Sequence, residues 1–414
     1  MIRYLLLLLF ISTLNISFGQ QNWDNAKQDS LRQAQLKWRR YKAQERLKSY
    51  LQEENKNEIT LLDLSYLDLY EIPEFVYEFS NLKSLDISNN YISKLPKELN
   101  DLSQLKSVLW NSSLEENHRL KICKNYSIER ISLEDNGLRK LPRQLRKLKN
   151  LKDINLSKND FKKIPKVNIL PNLKEVTLNK NEFDFKKSKF RRLREIEKLR
   201  LNECNISSIP LDLLKHSQLK ELQLSGNYIK EIPNEINQLN NLTSLAMYKN
   251  ELTDLPETLF ELDSLIQIDL YFNELEKISQ SISKLSNLEV LYLSNNRLYS
   301  LPESIGELSN LRELYIHHNR LSYLPKSIGN LPKIEILRMN DNYFSTIQGE
   351  LFELKTLKTL DFSNNQVTNV SNDITKLSKL ELLYFNKNPI ELNQNEFLNN
   401  HFEKLRASGV IVIY

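Results

Sequence analysis

Aromatic, histidine and charged residues recur at intervals of 23 in the second half of this 414-residue chain. One series runs from an aspartate through two tyrosines to an arginine, and a second joins two tyrosines to a histidine. Phe272 and His318 directly follow two members of the second series. The full set is Tyr248, Asp269, Tyr271, Phe272, Tyr292, Tyr315, His317, His318 and Arg338. Exposed aromatics that cluster with arginine and histidine are typical of the anchors that dominate binding interfaces. These residues meet only if the structure repeats with the same period.

A unit of 23 residues, seen clearly at 288–310, supplies that period. Leu291 and Leu293 alternate as on one face of a short strand, because strand side chains have period two. Asn296 suits a turn whose backbone it can hydrogen-bond. Leu301-Pro302 ends the turn, since proline cannot donate to a ladder. One unit cannot bury its own leucines, but stacked units can.

The unit resembles the 23-residue, Leu-Pro-x-x-Ile form of the leucine-rich repeat family. The repeats begin at Ile59, Leu82, Leu105, Ile128, Leu151, Leu173, Ile196, Leu219, Leu242, Leu265, Leu288, Leu311, Ile334, Leu357 and Leu380. An asparagine ladder is predicted at Asn90, Asn136, Asn159, Asn181, Asn227, Asn250, Asn273, Asn296, Asn319, Asn342, Asn365 and Asn388. The resemblance implies an α/β solenoid of about 15 repeats. Its curved horseshoe would have a parallel sheet on the concave face and short helical or 3₁₀ turns on the convex face.

The third, fifth and seventh residues of each repeat flank the inward leucines and are predicted to point out of the concave sheet. The eighth lies at its edge. These columns hold small or mixed-charge residues in the first eight repeats and become aromatic from the ninth to the twelfth. With strands ~4.8 Å apart, the aromatic positions would fall in a patch about 20 Å across. Tyrosine also simply suits strands, but that explains less well its absence from the same columns earlier. We predict a concave ligand-binding patch.

Metal binding is a weaker interpretation of the two histidines. His317 and His318 are adjacent, so a regular strand is expected to point them to opposite sides. Asn340 or Asp341 would have to complete the ligand set, and no spacing demands this. We predict no metal site and no cofactor.

Catalysis has less support still. Asp269 and Asp361 share a column but lie four repeats apart, ~19 Å at strand spacing, which is too far for paired glycosidase carboxylates. The seven glycines form no phosphate-binding loop and no Gly-x-Ser-x-Gly elbow. No serine or cysteine has a recognisable base beside it in the register. The chain is predicted not to be an enzyme.

Composition says little about partners, because 27% of the residues are charged and the net charge is only +5. A nucleic-acid partner is not expected. Cys123 and Cys204 fall in the third and seventh repeats, ~19 Å apart and beyond disulfide reach. Two free thiols are therefore predicted, with Cys204 buried in an asparagine position. An exported protein without disulfides suits a bacterial envelope.

The first residues read as a secretory signal peptide, residues 1–19. Arg3 precedes the apolar run Leu5 to Ile11, and Ser17 and Gly19 have signal-peptidase spacing. The alternative is an uncleaved membrane anchor, but the run is short and interrupted. No cysteine follows for a lipoprotein anchor, and no later stretch looks able to span a bilayer. We expect export to the periplasm or medium, with no stable membrane anchor.

Residues 20–58 are predicted to form a helical cap, 59–392 the solenoid and 393–414 a C-terminal cap. The N-terminal helix has an excess of five basic residues, so an alternative role is binding an anionic membrane surface. Its apolar stripe is predicted to be Leu31, Ala34, Trp38, Tyr41, Leu47 and Leu51. The third repeat, around 111–126, and the sixth, at Lys186-Lys187, depart from the pattern.

Three functions fit these features. The first is a non-enzymatic binding module that presents residues 248–338 to a protein, or alternatively a glycan, outside the cytoplasm. The second is a self-associating structural component of the envelope, packed end to end or through the concave face. The third follows from the resemblance of Leu-Pro-x-x-Ile repeats to intracellular scaffolds that engage small GTPases, and requires that the first twenty residues are not a signal.

Overall fold

A single parallel sheet organises the computed structural model, which describes residues 21–113, 120–184, 189–193, 195–368, 370–389 and 396–413. Two α-helices flank it, α1 at Gln21–Gln52 and α2 at Glu396–Ala407. Neither of these helices is long and apolar enough to cross a membrane. The predicted signal peptide, residues 1–19, lies outside the described residues.

The main sheet has sixteen strands in the order β1-β2-β4-β6 to β18, and β3 pairs with β5 in a small second sheet. The strands β1 to β18 are Leu61–Asp63, Ser84–Asp86, Lys94–Leu95, Ser107–Leu109, Lys121–Ile122, Arg130–Ser132, Asp153–Asn155, Glu175–Thr177, Lys198–Arg200, Glu221–Gln223, Ser244–Ala246, Gln267–Asp269, Val290–Tyr292, Glu313–Tyr315, Ile336–Arg338, Thr359–Asp361, Leu382–Tyr384 and Ile411–Ile413. Fifteen main-sheet strands fall one to a repeat, and β18 follows them. The predicted solenoid is confirmed.

The register repeats the sequence period. Leu291 lies between Ile268 and Leu314, each 23 residues away. Apart from the half-buried Ile59, the first, fourth and sixth residues of each repeat are buried in one continuous apolar core, because strand side chains alternate between the two faces. Short 3₁₀ turns on the opposite side return the chain. Those within the repeats are Glu74–Glu78, Lys97–Asn100, Arg143–Lys147, Val167–Ile169, Phe190–Leu193, Asn234–Gln238, Glu257–Glu261, Gln280–Lys284, Glu303–Glu307, Lys326–Asn330, Gly349–Glu353 and Asn372–Lys376.

Asparagine side chains connect neighbouring repeats. The Asn296 amide donates to the carbonyl oxygens of Leu270, one repeat earlier, at 2.9 Å and of Leu293 at 3.0 Å. Its own oxygen accepts the Leu275 N–H at 3.0 Å. All twelve ladder asparagines donate to the preceding repeat in this way. Buried backbone groups at the turn are thereby satisfied.

Two repeats make the same connection without asparagine. The Ser113 hydroxyl donates to the Ile87 carbonyl at 3.3 Å, and the Cys204 thiol donates to that of Leu178 at 3.3 Å. Cys123 and Cys204 are both free, as predicted. Burial raises the pKa of the Cys204 thiol to about 11, so this sulfur stays protonated and unreactive. In the irregular third repeat, β5 pairs with β3; Lys186-Lys187 of the sixth lie outside the described residues.

Helix α1 packs against the first repeat, but the predicted apolar stripe is wrong in most of its members. Ala43 is buried and Leu47 packs against the core. Trp38, Tyr41 and Leu51 are 62%, 57% and 54% exposed. The helix also contacts the solenoid through polar side chains, while Trp38 and Tyr41 face solvent.

The other end of the solenoid carries α2 and β18. Phe402 and Leu405 of α2 are buried, and β18 pairs in parallel with β17. Gly409, at φ +91, makes the turn between them in a conformation that favours glycine. The predicted start of the C-terminal cap, at residue 393, falls outside the described residues.

Candidate functional site

Seven aromatic side chains lie together on the concave side of repeats 9–12. They are Tyr248, Tyr271, Phe272, Tyr292, Tyr315, His317 and His318, called the aromatic surface below. They occupy the fifth, seventh and eighth columns that the repeat places at the ends of β11 to β14. Two clusters make up this surface, one in the fifth column and one in the seventh and eighth.

The fifth-column cluster is a stacked pair. Tyr292 and Tyr315 are opposite each other in register on β13 and β14, with ring centroids 4.6 Å apart and planes at 19°. The Tyr315 hydroxyl donates to a Glu313 carboxylate oxygen at 2.8 Å. Burial is the largest cause that raises the pKa of both tyrosines, with the Glu313 charge adding to it. Both hydroxyls therefore stay protonated, and that of Tyr315 uses its proton in the bond to Glu313.

The second cluster gathers around Tyr271. Its ring stacks on that of Tyr248, with centroids 5.4 Å apart and planes at 16°. Phe272 meets the Tyr271 ring edge to face at 4.4 Å and stays 43% exposed. Phe272 has φ 55, a left-handed conformation that is costly for a bulky residue. The eighth residues of other repeats, such as Lys249 and Asn295, have the same conformation, so it is a property of the repeat turn.

The two histidines do not point to opposite sides, and this corrects the prediction. Their rings are 5.5 Å apart in an edge contact. His318 has φ 53, so the strand has already ended and its alternation no longer applies. The Ser294 hydroxyl is 2.8 Å from His317 Nδ1, and the His317 ring is 5.8 Å from that of Tyr271. Burial, with help from the neighbouring cations, lowers the pKa of His317 to about 4.

Charged groups border the aromatic surface. Asp269 accepts the N–H of Tyr271 at 3.0 Å, and burial raises the pKa of its carboxyl. Arg338 follows Tyr315 in register, is exposed and forms no ion pair with any residue that the structure describes. His318 Nε2 lies 3.3 Å from an Asp341 carboxylate oxygen. The surface thus offers aromatic area, neutral hydroxyls and one unpaired guanidinium.

Three contributors were missed by the sequence reasoning. Ser294 and Glu313 position His317 and Tyr315. Ile266 lies at the opposite edge of the strand that leads to Phe272, and both are more than 40% exposed. The sequence contained a signal for Ile266, because the second residue of the other repeats is mostly lysine, arginine or glutamate.

Several charges elsewhere on the concave face pair with one another. In repeats 4–8, Lys158 contacts Glu134 at 2.8 Å and Lys198 contacts Glu175 at 2.8 Å. Arg200 makes two hydrogen bonds to Glu221, at 2.9 and 3.2 Å. Each pair joins adjacent repeats. Lys158, Glu134 and Arg200 lie in columns that are aromatic further along, whereas Lys198, Glu175 and Glu221 lie in the third column.

The candidate ligands form no metal site, and the candidate carboxylates form no pair, among the described residues. They bring no three histidine, cysteine or acidic side chains together as a metal site would require. Asp269 and Asp361 are on β12 and β16, four strands apart. The geometry defines a solenoid with one differentiated surface.

Comparison with known proteins identifies the family of this solenoid. A leucine-rich repeat family model matches residues 240–298, 286–344 and 332–390, and a second one matches 81–102 and 218–239. The chain belongs to the leucine-rich repeat family. No curated protein matches its sequence.

Solved structures agree with the fold. A Leptospira interrogans leucine-rich repeat protein has a TM-score of 0.67 and 26% identity, covering 87% of this chain and 97% of that one. A chain of the Drosophila Toll–Spatzle complex has a TM-score of 0.61 and 26% identity, covering 78% and 46%. The plant peptide hormone receptor RGFR1 in complex with RGF2 has a TM-score of 0.50 and 26% identity, covering 81% and 60%. The fold is that of a protein-interaction module.

Proposed function

We propose that this chain is a non-enzymatic binding module that holds a protein ligand on the aromatic surface. The observation that carries the proposal is the change of the concave columns at repeat 9 from paired charges to clustered rings. Large rigid side chains on a preorganised surface lose little entropy when a partner binds. Arg338, unpaired among the described residues and next to the Tyr292–Tyr315 stack, adds a charged anchor of the kind enriched at hot spots.

A protein partner fits the ring geometry better than a glycan. A sugar ring stacks flat on an open aromatic face, but Tyr292 and Tyr315 turn a face toward each other, as do Tyr248 and Tyr271. Ring edges, which carry partial positive charge, and hydroxyl groups are left for the ligand. Carbonyl groups and apolar side chains of a protein complement such a surface. Two of the similar solved structures are complexes with a partner, Toll with Spatzle and the plant peptide hormone receptor RGFR1 with RGF2, which supports the same choice.

We propose further that the module works after export, in the periplasm or medium. The support is the pattern of residues 1–19, a single arginine before an apolar run and small residues at signal-peptidase spacing. N-terminal sequencing of the protein from its native cell tests this. A mature chain beginning near Gln20 is expected. An intact Met1 would instead favour the intracellular scaffold.

The binding proposal is tested with the immobilised chain and two matched triple variants. The first is Tyr292→Ala/Tyr315→Ala/Arg338→Ala. The control, Tyr126→Ala/Tyr228→Ala/Arg139→Ala, removes the same side-chain types from exposed positions outside the aromatic surface. Envelope extract and culture medium of the native organism are passed over each.

A protein retained by the wild type and the control, and lost with the first variant, is expected. With that protein purified, each removed anchor should weaken binding by about 30-fold, the equivalent of about 2 kcal/mol for a hot spot. The melting temperature of the variant should change little. Equal retention by both variants would move the site away from the aromatic surface.

A further inference from the structure

The two ends of the main sheet are finished differently. At the first end, β1 has outward backbone groups that helix α1 satisfies. The Asp63 N–H donates to the Tyr50 hydroxyl at 3.3 Å, and Arg46 donates to the Ser65 carbonyl at 3.3 Å. Arg46 also pairs with the Asp63 carboxylate at 3.1 Å. The helix thus covers this edge at Asp63 and Ser65.

At the other end, the outward groups of β18 belong to Val412. The Ile411 N–H donates to Glu381 at 2.9 Å and the Ile413 carbonyl accepts from Phe385 at 2.7 Å, so these neighbours face the sheet. The Val412 carbonyl accepts one long bond from Arg406, at 3.4 Å. Its N–H has no acceptor among the residues that the structure describes. An open strand edge of this kind is a template for another strand.

Apolar side chains accompany the open edge. Ile411 and Ile413 are 63% and 40% exposed on the concave side, while Val412 points into the core. They extend the columns of Leu382 and Tyr384, their register partners on β17. β-branched residues are favoured in cross-strand pairs, so exposed isoleucines beside an unpaired N–H suit a strand as the occupant.

We propose that β18 pairs in antiparallel fashion with β18 of a second copy of this chain, with Val412 opposite Val412. The two residues would exchange their N–H and carbonyl groups, and each carbonyl has a second lone pair for Arg406. Ile411 of each copy would then face Ile413 of the other on the concave side. The two sheets would continue into one.

A second copy is favoured because the arrangement closes on itself. Pairing of β18 with β1 would build an open-ended filament, and α1 covers part of the β1 edge. Pairing of two β18 edges joins identical surfaces, and such an interface stops at a dimer. The aromatic surface stays free, because Tyr315 and β17 are three strands apart, ~14 Å. One dimer would present two such surfaces.

Sedimentation of the purified chain over a range of concentrations tests the dimer. The wild type should dimerise, and Ile411→Lys and Ile413→Lys should each weaken dimerisation at least tenfold. Leu61→Lys is the matched control, because Leu61 is a 60% exposed aliphatic residue on the terminal strand β1, which the proposed dimer does not use. It should dimerise like the wild type. Circular dichroism verifies that all three variants fold.

A disulfide experiment tests the register. In a Cys123→Ser background, Ile411→Cys and Ile413→Cys chains are mixed and oxidised. Facing residues of a non-hydrogen-bonded pair lie about 4.5 Å apart between Cα atoms, within disulfide range, whereas identical positions lie further apart. The mixture should cross-link and neither variant alone should.

Several outcomes would overturn the proposal. A wild type that stays monomeric at the highest concentration excludes the dimer. A dimer that survives both lysine substitutions, or one that is lost with Tyr292→Ala/Tyr315→Ala, places the contact elsewhere. Cross-linking of Ile411→Cys alone excludes the antiparallel register. None of these results bears on ligand binding by the aromatic surface, so the two proposals fail separately.

Discussion

Repeats 4–8 and repeats 9–13 present the same strand positions to solvent, but their side chains satisfy one another by different interactions. In the first region, cation and carboxylate face each other across adjacent strands, as Arg200 and Glu221 do at 2.9 Å. In the second, rings stack at the same spacing, as Tyr292 and Tyr315 do at 4.6 Å. The backbone register is unchanged between them.

The difference indicates which region would give a ligand the more favourable binding free energy. A paired charge on a concave surface must lose both water and partner before it contacts a ligand, and exposed ion pairs contribute little. Stacked rings keep their edges available, and of the Tyr292–Tyr315 pair only the Tyr315 hydroxyl has a partner, Glu313, among the described residues. Arg338, unpaired among the described residues, marks the end of the aromatic region. The scaffold is therefore shared and the binding capacity is local.

The largest expected effect is on the free energy of unfolding, and it tests whether the two regions share one scaffold. Asn159→Ala in the first region and Asn296→Ala in the second each leave backbone groups of two repeats without partners. Buried unpaired groups cost about 1–3 kcal/mol each, so each variant should lose about 2–4 kcal/mol of the free energy of unfolding. Urea denaturation measures both. Losses that differ by more than twofold would contradict a common scaffold.

A natural substitution provides the control for this experiment. Cys204 occupies an asparagine position and still donates to Leu178 at 3.3 Å. Asn296→Cys should therefore be less destabilised than Asn296→Ala, because a thiol restores one of the donors. Equal losses in the free energy of unfolding for the two variants would show that the other hydrogen bonds of the Asn296 amide connect the repeats.

The next effect concerns the back of the aromatic region. Gly306 and Gly329 occupy the same position in repeats 11 and 12, where repeat 8 has Asn237. A Cβ at Gly306 would overlap the backbone carbonyl oxygen of Ser327. Gly306→Ala should therefore cost about 1–3 kcal/mol, the usual range for overpacking.

Gly349→Ala is the control for this substitution, because a Cβ there meets nothing within 4 Å. It should be neutral or stabilising by up to about 1 kcal/mol. Thermal unfolding of both variants makes the comparison. A Gly306→Ala protein as stable as Gly349→Ala would show that the turns behind repeats 11 and 12 are not tightly packed.

How far these features follow from sequence depends on what determines them. The fold follows from the period of 23, because burial of Leu291 and its equivalents leaves one register. The exposed columns follow from strand alternation. The meeting of His317 and His318 does not, since it depends on the left-handed turn at the eighth residue. Nor does the orientation of α1, which polar contacts between Arg46 and the β1 edge help to set.

The pH dependence of stability tests the burial of His317. Its pKa is lowered to about 4, mainly by burial, so the unfolded chain binds the proton first as the pH falls. Stability from this residue is complete above pH 6.5 and is lost as the pH falls toward about 4. After allowance for its partial exposure, the loss should be on the order of 1 kcal/mol.

His317→Gln should flatten the stability profile between pH 6.5 and pH 5, where carboxylates contribute less of the slope. Urea midpoints of both proteins across this window, with pH 7 to 8 as the internal reference, provide the measurement. A wild type with the same slope as the variant would mean that His317 is accessible to water in the folded chain.

A double-mutant cycle on Tyr292 and Tyr315 measures the stacking in the aromatic region. The variants Tyr292→Leu, Tyr315→Leu and their combination keep apolar bulk but remove the paired rings. The coupling energy should be about 0.5–1.5 kcal/mol, as for other aromatic pairs. It should be the same at low and high salt, because no net charge is involved. Coupling that disappears in salt would point to the Glu313 carboxylate rather than to the rings.

The smallest effect is expected from the corresponding cycle in the first region, on Arg200 and Glu221. The variants Arg200→Met and Glu221→Gln keep side-chain length and remove the charges. The two side chains are 27% and 18% exposed and form two hydrogen bonds. Their coupling should therefore lie near the upper end of about 0.2–1 kcal/mol for surface pairs, and it should fall as salt screens the charges. A coupling larger than that of the tyrosines and unaffected by salt would mean that the charged region is the more rigid of the two. The prediction that ligands bind only in repeats 9–13 would then lose its physical basis.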